Sequence, residues 1–225
     1  MKIAPNPTTK QKLAAEALGS FFLFAGVIGS GIMGENLADG NVAIALLANT
    51  IATGAILFVL ITMLGPISGA HFNPAVTFAF MLKRDISMAE ASMFVLAQLI
   101  GGTIGVFAAH LMFDLEILQY STKARAGIGQ WSGELIATFG LVLTILLLLK
   151  HRPAAIPAAV ALYITSAYWF TSSTSFANPA ITVVRSLSDT FAGIAPGDVP
   201  LFVLAQIAGA AIAVGSARAL LAPKT

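Results

Sequence analysis

The sequence contains no cysteine and few charged residues. Without cysteine, the 225-residue chain can form no disulfide, no thiolate metal site and no thiol nucleophile. Charged residues make up 10% of the chain, against about 25% in a typical soluble domain. The formal net charge of +2 and the lack of a basic run argue against nucleic-acid binding. These shortages indicate a chain that is surrounded by lipid rather than by water.

Apolar residues are abundant instead, at 57% of the chain, with a mean hydropathy of +0.88. A helix that crosses a bilayer needs about 20 apolar residues in succession. The apolar stretches predict an all-α integral membrane protein with six transmembrane helices. These are residues 14–33, 42–64, 86–113, 130–149, 153–170 and 201–221.

Two further apolar stretches are too short to cross a bilayer. Each begins with an Asn-Pro-Ala box, and the two boxes are Asn73-Pro74-Ala75 and Asn178-Pro179-Ala180. Asparagine is a favoured N-cap because its side-chain oxygen accepts from an unpaired backbone N–H. Proline fits the first helical position, where no N–H donor is needed. The boxes therefore predict two half-helices, over residues 73 to about 82 and 178 to about 187.

The segments before the half-helices have the composition of irregular backbone. Residues 65–72 contain glycine and proline, and residues 171–177 are rich in serine and threonine. Irregular backbone is tolerated at membrane depth only where it faces protein or a wet cavity. We expect both segments to line a pore with their carbonyl groups.

The basic residues predict the orientation of the chain. With both termini on the cytoplasmic side, nine basic residues lie inside and three outside, as the positive-inside rule requires. The inner set is Lys2, Lys10, Lys12, Lys83, Arg84, Lys150, Arg152, Arg218 and Lys224, and the outer set is Lys123, Arg125 and Arg185.

The two halves of the chain repeat one another. Glu16, the first box and Gln98 are matched in order by Glu134, the second box and Gln206. We therefore divide a single channel domain, 1–225, into a first repeat, 1–125, and a second, 126–225. Because each repeat contains three transmembrane helices, an odd number, the second repeat enters the membrane from the opposite side. Matched interrupted segments in such an inverted repeat point to a transport pathway.

The boxes, the lead-in Ser68-Gly69-Ala70-His71-Phe72 and the glutamate of each half together resemble the major intrinsic protein family of aquaporins and aquaglyceroporins. The likeness covers nearly the whole chain. It implies six tilted helices and two half-helices that meet at the midplane of the bilayer. It also implies a homotetramer in which each subunit holds its own pore.

In such a pore the boxes would form a central constriction. Two half-helices that meet at their N-termini place two partial positive charges at mid-bilayer, which disfavour cations. Asn73 and Asn178 would donate amide N–H groups to a passing oxygen and prevent a continuous donor chain for protons. The alternative is that both side chains only cap buried helices.

The resemblance also implies a filter of four positions. Counting without gaps from the boxes assigns them to Thr53, Ser166, Ser175 and Ile181. One gap in the fifth transmembrane helix would substitute Tyr163 or Ala167 for Ser166. Water-selective members have Phe, His, a small residue and Arg at these positions, so this chain departs at three of four. Glycerol facilitators keep the Arg. In lacking it, this chain resembles a subgroup associated with arsenic resistance, whose expected solute is arsenous acid.

Six further polar residues need separate interpretation. Arg185 lies one helical turn beyond Ile181, either at the external mouth of the pore or reaching lipid headgroups. Glu16 and Glu134 lie within transmembrane helices, where a carboxylate is costly and either functional or paired. We expect each to accept backbone N–H groups of a lead-in segment, with a proton relay as the alternative. His71 is expected to line the inner pore, and His110 and His151 to be interfacial.

The sequence thus predicts a passive channel for arsenous acid, glycerol-like polyols and water that excludes ions and protons. The alternatives are a water-selective aquaporin, a structural or adhesive membrane protein without flux, and an ion-coupled transporter. No nucleophile with a base, phosphate loop or metal-ligand spacing occurs, so no catalytic residue, metal or cofactor is expected. The expected partners are small neutral solutes, water and membrane lipid. The expected location is a bacterial inner membrane.

Overall fold

The computed structural model describes residues 7–222, which form eight α-helices and contain no strand. Six of the helices are long and apolar enough to cross a membrane, and α3 and α7 are short. The prediction of six transmembrane helices and two half-helices is therefore confirmed. Lys2 and Lys224 of the predicted inner basic set lie outside the described residues. The helices are α1 Thr9–Leu37, α2 Val42–Ser68, α3 Pro74–Leu82, α4 Met88–Met112, α5 Ile128–His151, α6 Ile156–Phe170, α7 Pro179–Arg185 and α8 Val199–Leu220.

Several boundaries differ from the predicted ones. Helix α1 begins at Thr9 because Thr8 forms a capping box with Gln11. Helix α2 continues through Pro66 to Ser68, so only residues 69–72 of the predicted irregular segment 65–72 are irregular. Gly69 ends α2 in the left-handed conformation, with φ of 89°, and donates its N–H to the carbonyl of Gly65. Helix α7 ends at Arg185 rather than near residue 187.

The long helices pack in closely spaced pairs. Helix α1 packs chiefly on α4 and α2, and α5 chiefly on α8. A Cβ atom added to Gly101 of α4 would lie 2.0 Å from the carbonyl oxygen of Ala17 in α1. One added to Gly209 of α8 would lie 2.4 Å from the carbonyl oxygen of Leu135 in α5. Small residues therefore let the backbones of each pair approach one another, as in other membrane helix bundles.

The two half-helices lie inside this bundle. Each packs on both α4 and α8, and their N-terminal ends contact one another. Gln98 of α4 donates to Thr77 of α3, and Gln206 of α8 donates to Thr182 of α7. The same polar contact thus anchors each half-helix to its neighbouring long helix.

Candidate functional site

The two Asn-Pro-Ala boxes are joined by reciprocal hydrogen bonds. Nδ2 of Asn73 donates to the carbonyl oxygen of Ala177 at 2.7 Å. Nδ2 of Asn178 donates to the carbonyl oxygen of Phe72 at 2.8 Å. Each asparagine therefore contacts the residue that precedes the other box, and the N-terminal ends of α3 and α7 face each other.

Each asparagine also caps its own half-helix. Oδ1 of Asn73 accepts from the N–H of Ala75 at 2.8 Å, and Oδ1 of Asn178 accepts from the N–H of Ala180 at 3.0 Å. An amide NH₂ carries two hydrogens, and the bond to the opposite box uses one of them. Both side chains also border a cavity, so the second N–H of each can donate to a molecule in that cavity.

The cavity runs along the bundle and contains about 850 Å³ of empty space, counting its open ends. Ile156 and Tyr168 both line it from α6, and twelve residues of helix place them about 18 Å apart. We call the end lined by Thr53, Tyr168, Ile181 and Arg185 the arginine end. The opposite part, which we call the apolar end, is lined by Phe80, Leu141, Ile145, Leu149, Ile156 and Val160.

The assignment of Ser166 to the filter is wrong. Ser166 is exposed and its hydroxyl donates back to the carbonyl of Tyr163, and neither Tyr163 nor Ala167 borders the cavity. Tyr168 lines the cavity instead, one turn beyond Ile164 on the same face of α6. Ser166 is two residues away from Tyr168 and so points about 200° around the helix from it.

Packing between α2 and α6 sets this rotation of α6. A Cβ atom added to Gly54 of α2 would lie 2.2 Å from Oγ1 of Thr165. With Thr165 held against Gly54, Ile164 and Tyr168 turn toward the cavity. The repeat of Val160, Ile164 and Tyr168 every four residues is the sequence signal that could have identified Tyr168.

The structure brings the other three filter candidates to the arginine end of the cavity. Thr53, Ser175 and Ile181 are all buried and all line it. Oγ1 of Thr53 lies 3.2 Å from the hydroxyl oxygen of Tyr168. Oγ of Ser175 has no hydrogen-bond partner among residues 7–222. This end of the cavity therefore combines aliphatic and hydroxyl-bearing surfaces.

Glu16 and Glu134 are fully buried and hold the lead-in segments. Glu16 accepts from the backbone N–H groups of His71 at 2.9 Å and Phe72 at 2.7 Å. Glu134 accepts from those of Phe176 and Ala177, both at 2.8 Å. Side chains add further donors, Ser68 and Gln98 to Glu16 and Gln206 to Glu134, so that Glu16 accepts four hydrogen bonds and Glu134 three.

The last three residues of each lead-in segment alternate in backbone handedness. Ala70 and Phe72 have φ of 51° and 47°, and Ser175 and Ala177 have φ of 48° and 46°. Gly69 and Thr174, directly before them, also have positive φ, at 89° and 60°. Residues other than glycine persist in this region only where their surroundings enforce it. Alternation turns successive N–H groups to the same side, which lets one carboxylate accept two of them. Each buried glutamate therefore maintains the backbone that leads into an asparagine.

Arg185 lies at the arginine end of the cavity rather than among lipid headgroups. Its side chain is 2% exposed, and its guanidinium carbon lies 3.4 Å from the centre of the Phe176 ring. Its Nε donates to the carbonyl oxygen of Ala192. The headgroup interpretation is therefore wrong, because the guanidinium is enclosed by the loop that follows α7.

Sequence reasoning did not identify Arg125 as part of this region. Arg125 is also buried, with its guanidinium carbon 4.9 Å from the centre of the Phe176 ring. Its Nε donates to the carbonyl of Gly193 at 2.7 Å. Because it comes from the connection between α4 and α5, no local pattern in the sequence relates it to Phe176.

The histidines differ in their surroundings. His71 borders the cavity, with Nδ1 3.1 Å from Oγ1 of Thr77 and its ring stacked on Phe80. His110 is fully buried, with Nε2 2.9 Å from Oγ of Ser188, so its predicted interfacial position is wrong. His110 connects the end of α4 to the loop after α7, a tertiary contact that its place at a helix end does not reveal.

Comparisons with known proteins agree with this architecture. The family model described as "Major intrinsic protein" matches residues 4–171. The chain is 53% identical to "Aquaglyceroporin AqpS" of Rhizobium meliloti (strain 1021), over 95% of this chain and 91% of that protein. It is 35% identical to "Nodulin-26" of Glycine max, over 60% of this chain and 49% of that protein.

A solved structure supports the fold alone. The X-ray structure of the aquaglyceroporin from Plasmodium falciparum superposes with a TM-score of 0.76 and 16% sequence identity. The alignment covers 95% of this chain and 98% of that one. The overall fold is therefore shared with that protein although the two sequences differ widely.

Proposed function

This chain belongs to the major intrinsic protein family, and on that basis we propose that its cavity conducts glycerol-like polyols and arsenous acid as well as water. Members of the family are channels, so the protein is a multi-pass membrane channel for small solutes and not an enzyme. The choice of solutes depends on the arginine end of the cavity.

The observation that carries the proposal is Ile181. This aliphatic side chain borders the cavity at the position where water-selective relatives have arginine, as the resemblance implies. An arginine there would add five N–H donors and a permanent charge and would narrow the opening. Isoleucine takes up less space than arginine would, and Thr53 and Ser175 are small, so the opening favours solutes larger than water.

The arginine end also has the mixed chemistry that a polyol needs. The ring of Tyr168 and the side chain of Ile181 offer apolar surface to carbon atoms. The hydroxyl groups of Thr53, Tyr168 and Ser175 can exchange hydrogen bonds with solute hydroxyls. Sites for small molecules commonly combine apolar walls with a few placed polar groups.

The boxes account for the exclusion of ions. The facing N-terminal ends of α3 and α7 each carry about half of a positive charge. A cation at this depth loses its hydration and meets that charge, so it is disfavoured on both grounds. A neutral solute instead accepts an N–H from Asn73 or Asn178 and passes.

Each candidate solute is supported by a different observation. The similarity to a protein named as an aquaglyceroporin, over most of both chains, favours glycerol. Arsenous acid is a neutral trihydroxyl molecule at neutral pH, and its inclusion rests on the absence of arginine at position 181. A water-selective pore is the second candidate, and Tyr168 favours it because an aromatic ring narrows the opening.

The experiment is flux through the purified protein in lipid vesicles. Stopped-flow light scattering records water permeability under an impermeant osmolyte, and then glycerol and arsenite permeability in gradients of each solute. We expect all three rates to exceed those of protein-free vesicles. Water flux alone would replace the proposal with a water-selective pore. No flux would favour a structural role, and sodium- or proton-dependent flux would favour a coupled transporter.

We further propose a homotetramer in a bacterial inner membrane with both termini in the cytoplasm. The distribution of basic residues supports the orientation. Since the chain has no native cysteine, single cysteines at the exposed positions Tyr120 and Met88 can be labelled with an impermeant thiol reagent. Labelling of position 120 but not of position 88 from outside intact cells is expected, and the reverse pattern would invert the topology.

A further inference from the structure

We propose that Arg185 is the residue that excludes cations and protons at the arginine end of the cavity, in place of an arginine at position 181. The inference rests on the proposed function, because exclusion matters only if the cavity conducts. It assigns a specificity-determining role to a residue outside the filter positions that the family resemblance implies.

The position of Arg185 is the first observation. Arg185 lies four residues after Ile181 on α7, so both side chains share one face of the half-helix. Both are buried, at 2% and 5% exposed, and both border the same cavity. One helical turn corresponds to about 5.4 Å along the axis. The guanidinium is therefore displaced by about one turn from the position that isoleucine occupies.

The guanidinium is also held in place. Its carbon lies 3.4 Å from the centre of the Phe176 ring, and its Nε donates to the carbonyl oxygen of Ala192. Phe176 is itself fixed, because its backbone N–H donates to Glu134 and its ring packs against Phe202. A charge on such a support keeps its place when solutes pass.

The terminal amino groups of Arg185 remain available to the cavity. A guanidinium has five N–H donors, of which Nε provides one. Across residues 7–222, no hydrogen bond connects either terminal amino group to the protein. Oγ of the neighbouring Ser175 is likewise unpaired within that part of the chain. The free donors can therefore meet oxygen atoms of a solute but have nothing to offer a cation.

No carboxylate forms a direct ion pair with Arg185 within residues 7–222. The ion pairs found within residues 7–222 are Lys12 with Glu90 and Lys83 with Asp85, and neither involves Arg185. Glu134 accepts from backbone and glutamine donors and acts on Arg185 only at longer range, without a direct ion pair. A charge that has no ion-pair partner acts on other ions that come close to it.

Arg125 adds a second positive charge beside Phe176. Burial lowers the pKa of Arg125 to about 10, so it stays protonated at neutral pH. Asp198 accepts from the backbone N–H of Arg125 and Asp189 from that of Thr122, and within residues 7–222 neither carboxylate forms an ion pair with the Arg125 guanidinium. A cation entering from this end therefore meets fixed positive charge before it reaches Asn73 and Asn178.

The test compares charge-removing and charge-keeping variants in proton-leak assays. Vesicles hold a pH-sensitive dye, and potassium with valinomycin sets the membrane potential. Arg185→Gln removes the charge but keeps an amide that can donate to Ala192, and Arg185→Met removes both. We expect the proton leak to rise about tenfold in both, as a barrier lowered by 1.36 kcal/mol would give. Arg185→Lys keeps a charge and should leak far less.

Two further variants control for unrelated effects. Arg152→Met removes an exposed guanidinium that does not border the cavity and should leave the leak unchanged. The double variant Arg185→Met with Ile181→Arg returns a guanidinium to α7 one turn inward and should restore the low leak. Elution as a single species from a size-exclusion column in detergent establishes that each variant is folded.

The outcomes separate this inference from the proposed function. If wild-type vesicles conduct glycerol or arsenite and the folded Arg185→Gln protein leaks no more than the wild type, Arg185 is not the barrier. Arg185 is also not the barrier if the double variant leaks as much as Arg185→Met. If the wild type conducts neither solute, the proposed function is wrong.

Discussion

The hydroxyl oxygens of Thr53 and Tyr168 lie 3.2 Å apart and connect α2 to α6 at the arginine end of the cavity. Both side chains are buried, at 3% exposed each. The bond fixes the Tyr168 ring over the opening, where the sequence had indicated a serine. The width of the opening is therefore a property of how α6 is rotated against α2 and not only of which residues occupy the expected positions.

Replacing Tyr168 should change the solutes that pass. Tyr168→Ala removes the ring from the opening, and we expect glycerol permeability to rise severalfold relative to water permeability in reconstituted vesicles. The lost packing should reduce stability by about 3 kcal/mol, measurable as a lower unfolding temperature in detergent. Ser166→Ala is the matched control, because Ser166 is exposed on another face of α6 and should change neither quantity. A larger effect from Ser166→Ala would place Ser166, and not Tyr168, in the filter.

Ile181→Arg should narrow the same opening. The longer side chain fills the space that isoleucine leaves and lies one turn from Arg185, where like charges repel. We expect glycerol flux to fall about tenfold, as a 1.36 kcal/mol higher barrier gives, and water flux to fall less. Stopped-flow scattering measures both rates, with Ile181→Val as the conservative control. Equal glycerol flux in the Ile181→Arg and wild-type proteins would show that position 181 does not limit the pore.

The buried glutamates should contribute to the stability of the fold. Glu16→Gln places an NH₂ group among donors that now converge on a carboxylate, including the N–H groups of His71 and Phe72. Unpaired buried donors of this kind cost about 1–3 kcal/mol each. We expect a drop of several degrees in the unfolding temperature, and Glu134→Gln should behave alike.

Glu90→Gln provides the comparison for the glutamate variants. Glu90 pairs with Lys12 at 3.0 Å in a partly exposed position, and such pairs contribute about 1 kcal/mol or less. Its unfolding temperature should stay close to that of the wild type. If Glu16→Gln were equally stable and instead lost a pH dependence of flux, the carboxylate would be a proton relay rather than a support for the lead-in segment.

Close packing of α1 on α4 leads to a further prediction. Gly101→Ala puts a methyl group about where the carbonyl oxygen of Ala17 now lies, since the added Cβ would be 2.0 Å from that oxygen. The helices must separate, and overpacking of this kind costs about 1–3 kcal/mol. Gly215→Ala is the control, because a Cβ there meets nothing within 4 Å. It should be neutral or stabilising by up to about 1 kcal/mol, and a matching loss in both variants would contradict the argument.

Much of the fold was predictable because its signals are local. Runs of apolar residues identified the six long helices, and each Asn-Pro-Ala box marked the start of a half-helix. The glutamate of each half was expected to accept N–H groups of a lead-in segment, and both do so. Helix ends were less accurate: α2 extends through Pro66 to Ser68, and Gly69, in the left-handed conformation, closes its last turn.

The sequence by itself determined the membrane class, the repeat and the two capped half-helices, because hydrophobicity, capping and spacing are properties of neighbouring residues. Only the tertiary structure decided that Tyr168 faces the cavity and that Arg185 is enclosed beside Phe176. Those outcomes depend on helix rotation, which is set by contacts such as that of Gly54 with Thr165, between residues far apart in the chain. A helix of given sequence can present any face to a cavity until its neighbours fix one.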